Sequence, residues 1–504
     1  MNKKLNLFFI TLFIAALTIS CNHEQQSSNN FCISEYGAVG DGVTVNTRAI
    51  QSAIDACAKS GGGKVIIPSG IFLSGTIILK SNVELHFEQN ATLLASTRHE
   101  DFPLQPLPVY RSHKDQLGGF YALIYADGAK NISLTGNGTI DGQGKQQNPR
   151  PNPVAGDIDG RPRNLLLISC KNVLVEGLYF KNSGVWNQHY LNCEDVKVDK
   201  ISVYNHSNRN NDGIDIDGCR RFILSNSIFD SDDDGITLKS TGAAPCEDIV
   251  ITNCIVSSFC NAIKAGTESS GGFRNITISN CVVKPSISET EPVFDTPKTG
   301  ITGLSLIIVD GGVMEGISVN NLTIYGTMAP IYIRLGNRAR KYTADAPKPE
   351  MGKIQNISIS NVVAYGAGEW GSSITGQPGF PVENISLNNI QLFTKGGVKS
   401  GTFKENVKED PLGYPQPTTW ETLPASGFYI RHAKGIYIDN VIFSVDEEDD
   451  RAPIIVDDVS GLQISNVKLS EHHKATALIH GKNLTSFDIE KPLGWKGRKW
   501  VSTK

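Results

Sequence analysis

One short phrase recurs along this 504-residue chain and constrains its fold more than any other feature. The phrase reads apolar-x-apolar-x-Asn-x-x-apolar. It begins at residues 222, 249, 276, 317, 357, 385, 436 and 462, with a lysine variant at 196 and weaker copies at 83, 132 and 173. The starts at 196, 222, 249 and 276 are 26, 27 and 27 residues apart. Alternating apolar residues indicate strands with one buried face, and a repeat of roughly 20 to 30 residues indicates stacked coils. We therefore predict an all-β chain, a single-stranded right-handed parallel β-helix.

The same pattern predicts how the coils turn, where they are interrupted and how the first one ends. Asparagine tolerates left-handed backbone and bonds its own backbone, so we expect it at the turns, stacked into ladders. Longer steps predict loop insertions around Ser286–Thr299 and Thr394–Ala425 that wall a cleft. A propeller, the alternative, repeats at roughly 40 to 50 residues. A helix through about Ala58, capped by Asn46 or Thr47, is predicted to cover the open end of the first coil. Its apolar face comprises Ile50, Ala53, Ile54 and Cys57.

The first 21 residues predict a targeting segment rather than part of the fold. A basic start precedes an apolar run, Leu5–Ile19, that is short for a membrane span. A small residue followed by Cys21 resembles a bacterial lipoprotein signal, cleaved before Cys21 and lipidated on its thiol; an ordinary secretory signal is the alternative. We expect residues 22–31 to be a tether and residues 32–504 to form the catalytic β-helix domain. The expected location is the periplasm, the outer membrane or the cell surface, with the lipid as the membrane contact.

Charge and cysteine usage narrow the possible partners. The net charge is −4 and 19% of residues are charged, without a basic stripe, so nucleic acid is not an expected partner. The nine cysteines after Cys21 lack CxxC or Cys/His metal spacing, so we predict no metal and no cofactor. Cys254 and Cys281 occupy matching places in two repeats, which favours stacked interior thiols over a disulfide framework. We expect a monomer, because a capped β-helix needs no partner for stability.

Three aspartates are the strongest candidates for chemistry. Asp212 lies in Asn-Asn-Asp-Gly. Asp233, 21 residues later, lies with Asp234 in Asp-Asp-Asp-Gly-Ile. Because this separation is close to one coil, the acids should meet on adjacent coils. Hydrolysis of a glycosidic bond needs such a pair, one to protonate the leaving oxygen and one to activate water or attack. Like charges at short range also separate the pKa values of the acids. The alternative is that Asp-Gly pairs are only turn residues.

Several motifs resemble those of known enzymes. The phrase Tyr36–Gly42 is similar to the start of pectin-degrading β-helix enzymes. Asn210–Gly213 resembles the Asn-Thr-Asp-Gly motif of glycoside hydrolase family 28, the polygalacturonase family, and Asp232–Ile236 resembles its Asp-Asp motif. The resemblance covers residues 32 to about 480.

The resemblance implies an inverting hydrolase of α-galacturonosidic bonds in pectic polysaccharide. Asp233 would be the general acid, and Asp212 and Asp234 would position and deprotonate water. One tension remains. Neighbouring coils lie about 4.8 Å apart, whereas the carboxylates of inverting enzymes are roughly 6.5 to 9.5 Å apart, so spacing alone favours retention.

Two departures from the family pattern bear on the substrate. Asn261 stands where the family has a histidine, and Ser305–Ile307 stands where the family has Arg-Ile-Lys, which binds a galacturonate carboxylate beyond the cleaved bond. An apolar pair cannot replace a guanidinium and an ammonium. We therefore expect cleavage of rhamnogalacturonan or release of terminal galacturonate rather than ordinary internal cleavage of polygalacturonate.

Further residues are predicted to contact substrate because of their coil positions. They are His189, Lys239, Asn261, Lys264, Glu268 and Arg334. For Lys239 the alternative is a structural ion pair, for His189 a structural role, and for Arg334 a solvated arginine face. Two other functions remain open: a calcium-dependent pectic polysaccharide lyase on the same fold, and a non-catalytic glycan-binding protein.

Overall fold

The computed structural model describes residues 29–113, 120–147, 160–294, 296–420, 422–495 and 499–503. The predicted signal segment and most of the predicted tether lie outside the described residues, so the lipid on Cys21 stays a prediction. Within the described ranges, no helix combines the length and the apolar character that crossing a bilayer would need.

The described chain is built mainly of short strands. The strands of the first half are β1 (Asn30–Cys32), β2 (Asp41–Val45), β3 (Gly63–Ile67), β4 (Gly70–Ser74), β5 (Ile77–Ile78), β6 (Val83–Phe87), β7 (Ala91–Ala95), β8 (Ala122–Asp127), β9 (Lys130–Gly136), β10 (Thr139–Asp141), β11 (Arg163–Ile168), β12 (Lys171–Glu176), β13 (Tyr179–Lys181), β14 (Gln188–Leu191), β15 (Glu194–Asp199), β16 (Ser202–Asn205), β17 (Ile214–Asp217), β18 (Arg220–Ser225), β19 (Ile228–Ser231) and β20 (Ile236–Ser240). Those of the second half are β21 (Cys246–Thr252), β22 (Ile255–Ser258), β23 (Asn261–Ser269), β24 (Phe273–Val283), β25 (Thr302–Ile308), β26 (Val313–Tyr325), β27 (Ala329–Leu335), β28 (Lys353–Ala367), β29 (Ser372–Thr375), β30 (Val382–Gly396), β31 (Ala425–Glu447), β32 (Ala452–Ser465), β33 (Lys468–Leu469), β34 (Ile479–Ile489) and β35 (Val501–Thr503).

The strands stack in parallel into three ladders that run the length of the molecule. Ladder A begins with β1, β3 and β6, ladder B with β2, β4 and β7, and ladder C with β5, β8 and β11. The long strands β24, β26, β28 and β30 each serve ladders A and B in turn, and β31 serves ladder C as well. The fold is the predicted single-stranded right-handed parallel β-helix.

The recurring phrase sets the register of ladder A. Val196 pairs with Phe222, Phe222 with Ile249, and Ile249 with Ile276, so successive copies lie directly above one another. Their apolar side chains fill the interior. The phrase asparagines adopt the predicted left-handed backbone, with φ of 53° at Asn226. They bond between coils as expected, with Nδ2 of Asn253 donating to Oδ1 of Asn226 at 3.1 Å.

Helix α1 (Thr47–Lys59) closes the N-terminal end and buries the predicted face, Ile50, Ala53, Ile54 and Cys57. It packs against β1, β3, β5 and β6. The predicted side-chain cap is wrong. Asn46 holds the N-cap position, but its Nδ2 donates to the Thr44 carbonyl at 2.7 Å and its Oδ1 accepts from the Val39 N–H. Thr47 Oγ1 accepts from the Gly75 N–H, so both side chains tie the helix to the first coil instead. Short 3-10 helices span Ile33–Tyr36, His99–Asp101, Gly144–Gln146 and Pro417–Thr419.

The cysteines follow the prediction of interior thiols. All nine from Cys32 onward carry free thiols, and all but Cys32 are buried. Cys254 and Cys281 stack in successive coils, where the Cys254 carbonyl accepts from the Val282 N–H at 2.9 Å.

Insertions between strands gather around ladder C. Residues 284–301 and 397–424 lie where the chain passes from ladder B to ladder C, and residues 336–352 lie at the opposite edge. The first of these packs beside the aspartate turn, because Ser286 Oγ donates to Asp230 at 2.6 Å and the Val293 N–H donates to Asp232 at 3.3 Å. The two loops predicted to wall a cleft therefore lie beside and across the sheet that carries the acids.

Candidate active site

The acids lie on the turns that lead into two neighbouring strands of ladder C. Ile214 of β17 pairs with Ile236 of β20, so Asp212 lies beside Asp234 on the next coil. The Gly213 N–H donates to the Asp234 carbonyl at 2.9 Å. Ile236 in turn pairs with Ile263, which places Asn261 beside Asp234 on the other side. The result is a column of polar side chains, one from each coil, at the edge of ladder C.

Glycine is required after Asp212 and after Asp234 because the coils approach each other closely there. A Cβ on Gly213 would lie 2.5 Å from the Gly235 carbonyl oxygen, and a Cβ on Gly235 would lie 2.6 Å from the Ala262 carbonyl oxygen. These distances are too short for any side chain. The Asp-Gly pairs are therefore turn residues as well as candidates for chemistry, and the two interpretations do not exclude each other.

Asp233 is offset by one residue from this column. Its side chain is half-buried, and its Oδ1 accepts a hydrogen bond from the Asp234 N–H at 2.9 Å. Burial raises the pKa of Asp233 well above its usual range, and the charges of Asp212 and Asp234 raise it further. The stacked pair on adjacent coils is Asp212 with Asp234, so the coil spacing does not set the distance from Asp233 to either. The spacing argument for retention therefore does not apply to Asp233.

Asp234 is bound on both oxygens by residues of the next coil. Asn261 Nδ2 donates to Oδ1 at 2.7 Å, and Lys264 Nζ donates to Oδ2 at 2.6 Å. Lys264 lies on β23 and is 4% exposed. Both bonds involve a charged partner and are therefore among the stronger hydrogen bonds in proteins.

Asp212 faces a second buried lysine. Lys239 Nζ on β20 lies 3.5 Å from Asp212 Oδ2, 3.3 Å from Asp215 Oδ1 and 3.6 Å from Glu268 Oε2. Burial raises the pKa of Asp212, and the Lys239 charge only partly offsets this. For Lys239 itself, burial lowers the pKa, but the surrounding carboxylates outweigh burial and raise it well above its usual range. Lys239 also lies over the Trp186 ring, at 4.4 Å from its centroid.

A family model places this column in a known context. The model of "Glycosyl hydrolases family 28" matches residues 57–411, a stretch that includes all three aspartates. The chain belongs to family 28 of the glycosyl hydrolases.

Similar proteins of known name match only part of this family 28 chain. A probable polygalacturonase of Vitis vinifera is 32% identical over 230 residues, which are 44% of this chain and 45% of that protein. An exo-poly-alpha-D-galacturonosidase of Dickeya chrysanthemi is 29% identical over 247 residues, 40% and 41% of the two chains. The chain thus spans less than half the length of these relatives. The solved structure of a family 28 exopolygalacturonase of Yersinia enterocolitica shares the fold, with a TM-score of 0.59 and 18% identity over 94% of this chain and 78% of that one.

The predicted residues Lys239, Asn261, Lys264 and Glu268 all lie around the acid column. Asn261 and Lys264 both contact Asp234, as described. Glu268 lies between two cations, with Oε2 3.6 Å from Lys239 Nζ and Oε1 3.0 Å from Arg340 Nη2. It extends the charged cluster towards the opposite edge of ladder C, where Arg338 and Arg340 both contact Asp310.

His189 is buried beneath the outer surface of ladder C, and its contact with substrate stays a prediction. Its side chain is 0% exposed, and its Nε2 lies 3.0 Å from Asp217 Oδ2. The Trp186 ring packs edge-on against the imidazole, with centroids 5.0 Å apart. Alternation correctly places His189 on the outer face of ladder C, in register with Asp215. Neighbouring side chains cover His189 there, and it contacts Asp217 and Trp186.

Arg334 contacts the insertion at residues 397–424, and its binding of a substrate carboxylate stays a prediction. Arg334 is 2% exposed, and its Nη2 donates to the Glu409 carbonyl at 2.9 Å and to the Asp410 carbonyl at 2.7 Å. Its guanidinium also lies 4.3 Å from the centroid of the Trp420 ring. Arg334 therefore anchors the insertion at residues 397–424 through the Glu409 and Asp410 carbonyls.

The inserted segment, residues 397–424, crosses the outer face of ladder C. The Asn337 N–H donates to the Pro411 carbonyl at 2.7 Å at one edge, and the Leu423 N–H donates to the Trp370 carbonyl at 3.0 Å at the other. Between these points Trp420 packs with Ile307, Val309 and Tyr332. The segment therefore covers the coils that follow the acids.

This cover explains the missing Arg-Ile-Lys. Ser305 is 0% exposed and Ile307 is 1% exposed. Ile307 lies under Trp420, and Ser305 lies beside Asn261, with the two side-chain oxygens 3.4 Å apart. Neither position faces solvent, so neither side chain presents a charge to a ligand on the surface.

Sequence reasoning missed three residues of this site. Asp215 alternates with Asp217 in Ile-Asp-Ile-Asp, so period-2 alternation could have placed it on the outer face. Tyr414 and Trp420 lie in a loop without periodicity, where no sequence signal was available. Tyr414 is 54% exposed and lies beside the acid column, with its ring centroid 5.9 Å from Lys264 Nζ.

In the ranges that the structure covers, no group of three or more His, Cys, Asp or Glu side chains is arranged to hold a metal ion.

Proposed function

We propose that this family 28 chain is an exo-acting, inverting glycoside hydrolase that releases galacturonate from the ends of pectic polysaccharide. The observation that carries the proposal is the inserted segment, residues 397–424, which covers ladder C immediately beyond the acids. A polysaccharide running along ladder C would meet this segment after β23, where Tyr414 stands. A groove closed on one side suits a chain end and excludes a continuous chain.

The names of the relatives support the same substrate class. The relatives from Vitis vinifera and Dickeya chrysanthemi are named as acting on polygalacturonate, and the second is named as an exo-acting enzyme. The inferred substrate is therefore a galacturonate-containing chain, and rhamnogalacturonan is the alternative that the missing Arg-Ile-Lys raised.

Each acid has a distinct part in the proposed reaction. Asp233 protonates the glycosidic oxygen, because its raised pKa keeps it protonated at a pH where ordinary aspartates are ionised. Asp212 and Asp234 hold the attacking water and accept its proton. Oδ2 of Asp212 lies 3.5 Å from Lys239 Nζ, and we assign Oδ1 to that water. Water attack on the face opposite the leaving group inverts the anomeric carbon.

The lysines weigh against the lyase alternative. Calcium binds clusters of free carboxylate and carbonyl oxygens. Here Lys239 lies among Asp212, Asp215 and Glu268, and Lys264 binds Asp234. Two ammonium groups inside the acid cluster oppose a divalent cation, so hydrolysis is the better-supported chemistry.

The test is incubation with polygalacturonate and with rhamnogalacturonan in the presence of a chelator, with products resolved by chromatography and proton NMR. We expect saturated galacturonate monomer or dimer from polygalacturonate from the earliest time points, with inverted anomeric configuration. The matched control is Asp233→Asn, which should release nothing above background. Unsaturated products would support the lyase, release from rhamnogalacturonan alone would move the substrate assignment, and no release from either would overturn the proposed function.

A further inference from the structure

Lys264 is a buried lysine whose charge is paired inside the protein. Its Nζ lies 2.6 Å from Asp234 Oδ2, and the side chain is 4% exposed. Burying an ammonium group is costly unless a carboxylate lies close with good geometry. Its position on β23, in register with Thr237, therefore fixes Lys264 against the acid column.

Asn261 completes the hold on Asp234 from the same coil. Its Nδ2 and its backbone N–H donate to Asp234 Oδ1, at 2.7 and 3.3 Å. The orientation of its amide is set from behind, because Thr302 Oγ1 donates to Asn261 Oδ1 at 2.8 Å. Asp234 is thus bound on both oxygens by groups that are themselves fixed.

The partners of the Asp233 carboxylate differ from those of Asp234. Asp233 is the neighbouring acid on the same turn, and the donor that reaches its carboxylate is the Asp234 N–H. The salt bridges among the described residues pair Lys264 with Asp234 and Lys239 with Asp212, and none includes Asp233. Two adjacent aspartates therefore have opposite environments, and Lys264 makes much of the difference.

We propose that Lys264 is a positioning residue that, with Asn261, holds the Asp234 side chain in one orientation beside Asp212 by binding both of its oxygens. The proposal rests on the proposed function, since it assigns the division of labour within that acid set. It also moves Lys264 from the substrate contacts to the support of the acids.

The charged and titratable groups around this site set the expected pH response. Those that face Asp234 and Asp233 are Asp212, Asp215, Lys239, Cys260, Lys264, Glu268 and Tyr414. Lys264 lowers the pKa of both Asp233 and Asp212 from the higher values that burial alone would give. Removing its charge therefore raises the pKa of the acid and of its partner, and both limbs of the pH profile should move to higher pH.

The experiment compares Lys264→Met, Lys264→Arg and the wild type in kcat, KM and the pH profile of kcat/KM. For Lys264→Met we expect kcat to fall about 100-fold, as for a misplaced catalytic group, with KM little changed and both pH limbs higher. Lys264→Arg keeps the charge and should recover most of the pH profile. The matched control is Lys200→Met, which removes an ion-paired surface lysine of ladder A far from the acids. Lys264→Gln keeps a donor without the charge and serves if Lys264→Met does not fold.

A substrate-free measurement separates this proposal from the proposed function. Carbon NMR of protein labelled in the aspartate carboxyl groups, with Asp233 assigned by Asp233→Asn, reports the titration of Asp233 directly. We expect its midpoint to rise in Lys264→Met and Lys264→Gln. An unchanged midpoint together with a raised KM and unchanged kcat would overturn the proposal, because Lys264 would then bind substrate. If the wild type were inactive on pectic chains, the proposed function would be wrong, but the titration of Asp233 could still be measured.

Discussion

At the scale of the residue, the site depends on what surrounds each acid rather than on which acids are present. Asp212, Asp233 and Asp234 have the same side chain, yet two of them face buried lysines and one does not. The sequence was enough to predict the three acids, because one coil separates them and Gly follows two of them. It could not show what covers a residue on the outer face. His189 and Arg334 are on that face as alternation predicts, but Trp186 and the inserted segment cover them.

We predict that Asp233→Asn abolishes hydrolysis and stabilises the fold above acidic pH. Loss of a general acid lowers kcat by about 10²- to 10⁴-fold. The raised pKa of Asp233 means that the fold favours its protonated form. The contribution of Asp233 to stability is therefore fully present below the unfolded pKa of about 3.9 and is lost as pH rises through the folded value. The neutral variant should have the higher Tm at pH 7 and the same Tm as the wild type near pH 3.5.

The control for this prediction is Asp232→Asn, the preceding aspartate of the same triplet. Its carboxylate faces the Val293 N–H of the insertion at 284–301. We expect Asp232→Asn to retain most of the activity. Equal loss in both variants, or a lower Tm for Asp233→Asn at pH 7, would contradict the assignment of the acid.

At the scale of the element, the regular strands and the insertions differ in how far sequence predicts them. Strands repeat, so the phrase gave their register, and helix α1 followed from its apolar face. The insertions have no period, so their positions could be predicted but not their paths. Residues 397–424 fold back across ladder C because Arg334, Arg431 and Trp420 hold them there. That path covers the coils that follow the acids.

We predict that Arg334→Met loosens the inserted segment and opens the groove. The change removes the two bonds to the Glu409 and Asp410 carbonyls and the contact with the Trp420 ring. Limited proteolysis should cut faster within residues 397–424, and longer oligomers should appear among the products of polygalacturonate. The control is Arg274→Met, which removes an exposed ion pair with Glu315 on ladder A. Faster cleavage of the segment without longer products would show that the segment does not limit the length of the product.

At the scale of the whole molecule, the fold is an extended scaffold that holds one polar column in register. Because successive coils pair in parallel, each residue lies beside the residue at the same position of the next coil. A residue type that repeats at that position therefore forms a column. The same rule builds the Asn ladder that joins Asn226 to Asn253 and the acid column of Asp212, Asp234 and Asn261. Sequence alone therefore predicted the parallel β-helix, because each coil obeys one local rule.

The location of the molecule stays a prediction from its first residues. If Cys21 carries lipid, the full-length protein should fractionate with membranes and Cys21→Ser should be released into the soluble fraction. Several acyl chains are needed for stable anchoring. Labelling with a radioactive fatty acid checks the modification directly, and a Cys21→Ser protein that stays with membranes would contradict lipid anchoring.

The most direct test of the account is the loss of viscosity of polygalacturonate measured against the appearance of reducing ends. A hydrolase with a groove closed beyond its acids removes sugars from chain ends, so reducing ends should accumulate while viscosity stays close to its starting value. A steep fall in viscosity at the first few reducing ends would mean internal cleavage. The inserted segment would then not close the groove, and the central claim would be wrong.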